Sequence, residues 1–518
     1  RLTYLTALLA RKAGRPVRLW YSRAEEMTAG RNRPWGQVRL KAGVRRDGTL
    51  MALDAQLSFG TGAYASGMHS VGRGAGALFD MYRCAVRYAG EMVYANLPPA
   101  GSYRALGAVH TTFAVESMMD RLAEAIGQDP IALRLQNCVK VGDLLMQVDG
   151  RKVEPPLPLS TSGFAECLRL GAEAIGWAQH RGALRVTRSR ADAPTYRRGI
   201  GFAPVIYGTG SDESDAEIEI MPDGAVSVLS GVSDVGVGTR TVTAMIAAEV
   251  LGLPYEAVGV HAGDTALPYA PMQAGSRVTF SLGWAVKQAA EAAREQLLKL
   301  AEPLFELSAA DLTVEQGMVK PKGQAGGFAI ADVFKFAGRA TRIVGAGHAT
   351  NQAKPAMQGF GAHFAEVEVD TETGAVRVLR YVAAHDVGRA LNPHGVENQI
   401  YGLAQTLGQA LNEDLIFDEA TGLTLNANLS QYLMPTMEDF PPVEVIMVET
   451  NDPLGPFGAK GIGEPPLPPV APAIANAIAN AIGVRFNTLP ITRDAILQAC
   501  QSSTMIGDQP STVIGGQR

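Results

Sequence analysis

The chain has 518 residues, 47% of them hydrophobic, with 57 glycines, 30 prolines and a formal net charge of −5. That length supports a large core and several domains, and the mild acidity argues against a dedicated nucleic-acid binder, whose footprint is basic. The four cysteines (Cys84, Cys138, Cys167, Cys500) are far apart with no CxxC pair. This points away from a disulfide scaffold and from an iron–sulfur or structural zinc site within the chain, and no apolar run reaches membrane-spanning length.

Residues 1–13 have leucines 2, 5, 8 and 9 at helical spacing, with Gly14 as the stop. Nothing ahead of this helix caps it, Arg1 is not an initiator methionine and no signal peptide is visible, so further chain is expected before it. Arg15–Ser22 is predicted as a strand, and SRAEEMT carries a helix-start signal. The stretch from Gln37 to Gly60 alternates around Arg46-Asp47-Gly48 and predicts a hairpin. Glu116–Gly127 predicts a helix, and Asp129-Pro130 opens another. Polar, proline-containing composition at 153–161 and 189–198 interrupts the pattern, and a domain boundary is expected in the second stretch.

An internal echo follows. Asp215–Gly231 and Phe364–Tyr381 each predict a strand, a glycine turn and a second strand, then a glycine-bearing loop and a helix. Two such units imply two related halves packed together. Trp284–Phe305 predicts a long helix. Strands and helices alternate without a strict βαβ rhythm, so the expected class is α+β with mixed sheets. The expected division is 1–190, 191–345 and 346–518.

Four loops concentrate Gly, Arg, Ser and Pro: 98–113, 234–241, 272–281 and Gly455–Pro469. Gly236, Gly238 and Thr239 precede a helix and could turn backbone N–H groups to an anion, with a simple tight turn as the alternative. Ala274–Arg277 (AGSR) is a second possible anion nest. Glu464 is a lone carboxylate in a glycine- and proline-shaped loop, where a rigid connector is the competing reading. There is no Walker loop, dinucleotide fingerprint, HExxH or nucleophile elbow, and His261 and His385 are expected to be structural.

These segments resemble, in order, the molybdenum-cofactor-binding large subunit of the xanthine oxidase family: ALLARKAGRPVRLWYSRAEEM, GSYRALGAVHTTFAVESMMDRLAEAIGQDPIALRLQN, GVGTRTVTAMIAAEVLGLP, GDTALPYAPMQAGSR, DVGRALNPHGVENQIYGLAQTLGQAL and GPFGAKGIGEP. The resemblance runs through nearly the whole chain and implies the family's multi-domain fold around a buried cofactor. In the family a glycine-rich loop precedes the helix that here begins at Arg1, so the resemblance implies that this is the C-terminal greater part of such a subunit. It further implies hydroxylation of an aldehyde or N-heteroaromatic carbon with water as oxygen source and Glu464 as general base. Arg104, Ala105, Gly236, Val237, Gly238, Thr239, Ala274, Gly275, Ser276, Arg277, Gly461 and Gly463 are implied cofactor contacts. The metal would be held by the pterin dithiolene, with no protein ligand, and the cofactor would be molybdopterin in its cytosine dinucleotide form.

Three departures from the family pattern stand out. Leu106 replaces an aromatic of xanthine-type members, Ala105 stands where the carbon-monoxide branch carries its cysteine, and Val237 stands where many members use a glutamine amide on the cofactor. Arg73 is set opposite a substrate-orienting arginine, with a plain surface arginine as the alternative. Implied partners are an iron–sulfur subunit, an FAD subunit and a polypeptide carrying the N-terminal part. The expected location is cytoplasmic, or periplasmic through a partner's signal. A non-catalytic assembly subunit and an unrelated nucleotide-dependent dehydrogenase are the competing functions.

Overall fold

The computed structural model describes residues 2–66, 69–148, 151–181, 196–210, 212–350 and 356–505. Helix α1 (Leu2–Ala13) forms as the leucine spacing predicts and stops at Gly14 in the left-handed region, yet none of its residues is buried. Arg15–Ser22 is not a strand. It runs without a ladder partner among the described residues, and a strand needs a neighbour for its backbone groups. Ser22 then caps α2 (Arg23–Ala29) through a capping box with Glu25.

The predicted hairpin is β1 (Gly36–Val44) with β2 (Leu50–Gly62), paired antiparallel. After it come α3 (His69–Phe79), β3 (Ala85–Tyr94) and α4 (Ala108–Ile126), which starts eight residues before the expected Glu116. Asp129 caps α5 (Pro130–Asn137) by accepting from the Ile131 and Ala132 N–H groups. A small pair, β4 (Leu144–Val148) and β5 (Arg151–Pro158), leads to α6 (Phe164–Ile175) and α7 (Trp177–His180). The boundary expected at 189–198 lies, through residue 195, outside the described residues.

The echo is visible in the second part of the chain. The first unit is β6 (Tyr196–Gly208), β7 (Ser214–Ile220), β8 (Val226–Ser230), α8 (Thr239–Leu251), β9 (Val258–Ala262) and α9 (Val278–Phe305). A small sheet of β10 (Leu312–Glu315), β11 (Met318–Pro321) and β12 (Phe328–Ala329) with α10 (Ile330–Phe336) intervenes. The second unit is β13 (Ile343–Ala349), β14 (Gln358–Asp370), β15 (Val376–Asp386), α11 (Pro393–Tyr401), α12 (Ala404–Leu411), β16 (Val443–Val448) and α13 (Val470–Ile482), followed by α14 (Arg493–Met505).

Each unit builds a four-stranded sheet, ordered β13-β7-β8-β9 and β6-β14-β15-β16. In both, the first two pairings are antiparallel and the last is parallel. The two units have exchanged their leading strands: β6 pairs with β14, and β13 pairs with β7. The first region repeats the motif in shorter form, with the hairpin β1–β2, helix α3, strand β3 parallel to β2, and helix α4 packed on β1.

The long helices lie on the exchanged strands, α9 on β13 and β7, and α13 on β6 and β14. Glycine allows this close approach. A Cβ on Gly345 or Gly347 would overlap the α9 backbone at Ala285, Ala289 or Ala293, and one on Gly199 or Gly201 would overlap α13 at Ala473, Ala477 or Ala481. The β14 strand is covered on both faces, which is why it is buried along nearly its whole length rather than at alternate residues. Phe360, Ala362 and Phe364 join the core under α6, while Ala365, Val367 and Val369 join the core under α13.

Gly201→Ala and Gly345→Ala are each expected to destabilise the fold by about 1–3 kcal/mol, read as a lower thermal unfolding midpoint. Gly43→Ala is the control: Gly43 is exposed in β1, and a Cβ there meets nothing within 4 Å.

Candidate active site

Three loops precede the three long helices: Gly101–Gly107 before α4, Gln273–Arg277 before α9, and Gly461–Pro469 before α13. They meet at one cavity of about 860 Å³, with the loops before α8 and α11 closing another side. Arg73, Arg104, Gly236, Val237, Gly238, Thr239, Ala274, Gly275, Ser276, Arg277, Gly461, Gly463 and Glu464 all line it. Ala105 does not line it; it is fully buried directly behind.

Both oxygens of Glu464 are held. Oε1 accepts from the Ala105 N–H at 3.2 Å, and Oε2 accepts from the Tyr207 hydroxyl at 3.0 Å. The Glu464 N–H donates to Ser276 Oγ at 2.9 Å. Arg104 Nε donates to the Gly463 carbonyl at 2.5 Å, while Nη2 donates to the Gln399 carbonyl at 2.8 Å. Burial lowers the Arg104 guanidinium to about 10, and the charge of Glu464 works against that fall. Burial, reinforced by Glu464, pushes the Tyr207 phenol up, so it stays a donor.

The glycines of the Glu464 loop serve chain-to-chain contact. A Cβ on Gly461 would overlap the Ser276 carbonyl, and Ser276 itself sits at φ 56. Loop 236–239 presents backbone and the Val237 side chain to the cavity, but its amides are engaged. Gly236 and Val237 donate to Asp234 Oδ1 at 2.9 and 3.2 Å, and Arg240 donates to Oδ2 at 3.2 Å. The helix start is therefore capped by the chain's own carboxylate. Arg277 is likewise committed, with Nη1 on Asp212 Oδ2 at 2.5 Å.

Several residues that shape the site escaped the sequence reading. Tyr207, at the end of β6, carries the Glu464 contact, and the Arg73 guanidinium lies 5.0 Å from its ring centre. Arg33 clamps the strained turn at Ala105 (φ 63) and Leu106 (φ 46), donating to the carbonyls of Arg104 at 3.0 Å and Leu106 at 3.1 Å. Burial lowers this guanidinium to about 10. Lys460, 3% exposed, donates to Asp386 at 2.7 Å and anchors the Glu464 loop from below. An arginine before a proline and a lysine between glycines were the available signals, but neither identifies a partner so distant in the chain.

Two family models, each described as a molybdopterin cofactor-binding domain, match residues 170–441 and 1–138. The chain is 34% identical over 502 residues to the putative xanthine dehydrogenase molybdenum-binding subunit XdhA of Escherichia coli K12, covering 94% of this chain and 65% of that protein. It is 30% identical over 503 residues to the aldehyde oxidoreductase molybdenum-binding subunit PaoC of Escherichia coli O157:H7, covering 95% of this chain and 64% of that one. Among solved structures, quinoline 2-oxidoreductase from Pseudomonas putida 86 superimposes with a TM-score of 0.86 at 28% identity, over 96% of this chain and 66% of that one. The chain thus spans just under two-thirds of the length of these relatives.

The cavity's donor set fits such a cofactor. Arg73, Arg104, Arg277 and Arg389 line it, and among the described residues Glu464 is its one carboxylate, which suits a large anionic group. At Gly236 and Gly238 a Cβ would meet nothing within 4 Å, so the wall there is open backbone. Among the described residues no three His, Cys, Asp or Glu side chains come together as a metal-ligand group.

Arg33→Lys keeps the charge but loses the planar fork whose two terminal nitrogens each reach a carbonyl. Losing one charge-assisted bond is expected to speed amide exchange at 103–107 by roughly ten- to a hundredfold, measured by hydrogen–deuterium exchange.

Proposed function

Because the chain belongs to the xanthine oxidase-type family of molybdopterin-binding large subunits, we propose that it forms the catalytic core of a molybdenum hydroxylase acting on an aldehyde or an N-heteroaromatic carbon, with Glu464 as general base. The observation that carries this reading is Glu464 itself, the one carboxylate in a cationic cavity, with each oxygen held by a single donor. Arg104, Arg389 and Ser276 would hold the cofactor or its phosphate, beside the open backbone wall at Gly236 and Gly238. When bound, the molybdopterin group supplies two-electron oxidation with oxygen taken from water.

The remaining work falls to the chain. A carboxylate oxygen carries two acceptor positions. The Ala105 N–H and Tyr207 hydroxyl take one each and fix the plane of the group, leaving a second position on each oxygen that would accept a proton. Arg104 lies nearby and balances the charge of Glu464. Arg73, on the cavity wall beside Tyr207, would orient a polar or anionic part of the substrate. The buried methyl of Ala105 offers no thiol, which disfavours the carbon-monoxide chemistry of one branch. Leu106 on the wall, in place of an aromatic, disfavours a purine. No cysteine lines the cavity, so electrons would leave through iron–sulfur and flavin partner subunits.

The test is metal and pterin analysis of the purified complex, with dye-coupled turnover over aldehydes and azaarenes; a complex without molybdenum and pterin defeats the reading. Glu464→Ala is expected to keep both while kcat falls roughly 10²–10⁴-fold, and near-wild-type kcat would remove the general-base role. Tyr207→Phe deletes a donor to the ionised carboxylate. With the carboxylate less firmly oriented, kcat is expected to fall roughly ten- to a hundredfold while molybdenum and pterin content stay unchanged.

A further inference from the structure

The backbone contact of Glu464 depends on one peptide unit. Tyr103–Leu106 is a four-residue turn, closed by the Leu106 N–H on the Tyr103 carbonyl at 2.7 Å, and of its two central residues Ala105 alone has a positive φ, 63. That is the type II pattern, in which the second central position ordinarily takes glycine. Alanine there favours type I, and the two types differ in which way the central peptide faces. Here the central peptide joins Arg104 to Ala105. A trans peptide is planar, so its carbonyl and its N–H point in opposite directions and turn together. Arg33 Nη2 donates to the carbonyl end, that of Arg104, at 3.0 Å, and the N–H end donates to Glu464 Oε1 at 3.2 Å. Nη1 holds the Leu106 carbonyl at 3.1 Å, and the guanidinium lies 4.3 Å from the centre of the Tyr103 ring. What the guanidinium grips is therefore this turn, by two of its carbonyls and one of its rings.

We propose that Arg33 is a positioning residue for the Glu464 carboxylate: by holding the Arg104 carbonyl it selects the peptide orientation in which the Ala105 N–H faces Glu464. Without it the peptide turns to the orientation that alanine favours, Oε1 loses its donor, and the Tyr207 hydroxyl is left to orient the group. The cation at the oxygen end also polarises the peptide and strengthens its N–H as a donor. Arg33 thus acts on the base through a backbone unit and touches neither substrate nor cofactor. The inference rests on the reading of Glu464 as general base. It accounts for two observations together: an alanine held at a glycine-type turn position, and an arginine that spends both terminal nitrogens on the carbonyls of that turn.

The test is a double-mutant cycle on the purified complex with Arg33→Met, Glu464→Ala and the two combined. Each is assayed for metal and pterin, for dye-coupled turnover of an aldehyde or azaarene that the wild type oxidises, and for hydrogen–deuterium exchange at 103–107. Arg33→Met is expected to lower kcat roughly ten- to a hundredfold, with KM within about twofold and molybdenum and pterin unchanged, since what it loses is orientation. In the Glu464→Ala background the same change is expected to move the residual kcat by less than about twofold, because no carboxylate is left to orient. Each single variant removes a contact from one end of the same peptide, so exchange of the Ala105 amide is expected to quicken roughly tenfold or more in both. If Arg33→Met accumulates poorly, Arg33→Lys carries the cycle under the same criteria. Equal falls in kcat in both backgrounds, near-wild-type kcat in a loaded Arg33 variant, or an Ala105 amide whose exchange is unmoved by it each overturn this inference and leave the general-base reading standing. Near-wild-type kcat in Glu464→Ala, or a wild-type complex without molybdenum and pterin, overturns that reading and this inference with it.

Discussion

A buried ion cluster, Lys460 with Asp386 and Asp452, holds the cavity end of the molecule together. Lys460 and Asp386 are both fully buried in their side chains, with Nζ 2.7 Å from Oδ2. A charge left alone there would be destabilising by about 3–5 kcal/mol, and the pair persists only because its remaining valences are filled. Asp386 also accepts from the Gly163 N–H ahead of α6, from the Gly388 N–H and from the Thr450 hydroxyl, while Lys460 donates to the Gln358 carbonyl. One carboxylate thereby joins the start of α6, the end of β15, the segment after β16 and the loop that carries Glu464. The Glu464 carboxylate is aimed by that junction, four residues beyond Lys460.

The geometry above this junction follows from repetition. Hairpin, helix, parallel strand and long helix recur three times, and each time the loop before the long helix reaches the same cavity. Arg104 and Ala105, Ser276, and Glu464 occupy corresponding places in those loops, which is why a side chain of one bonds the backbone of the next. Left-handed residues mark two of the loops, Ala105 and Leu106 in one and Ser276 in another. Strain of this kind persists where surrounding contacts over-determine it, and the two carbonyl bonds from Arg33 are such contacts in the first loop.

Much of this was legible in the residues. Hairpin alternation, the capping box at Ser22 and the cap at Asp129 are local signals, and each element formed. The glycine loops were recognisable because unusual backbone demands unusual composition, and their order pointed to the family. What stayed hidden was non-local. Tyr207 meets Glu464 across 257 residues, and Arg33 reaches its carbonyls across 71 and 73; no spacing rule encodes such pairs. The exchange of β6 and β13 was equally silent, since each strand is apolar whichever sheet it joins. Arg15–Ser22 misled for a complementary reason: alternation describes a willingness to pair, and pairing needs a second strand.

The strand exchange also orders events during synthesis. β6 emerges early yet has no sheet to join until β14 and β15 have been made, and the bond from Ala105 to Glu464 closes a span of 359 residues. A ligand that touches all three loops has nothing complete to bind while the chain is still growing. Only when the loop bearing Glu464 has followed those of Arg104 and Ser276 do all three walls of the cavity exist together.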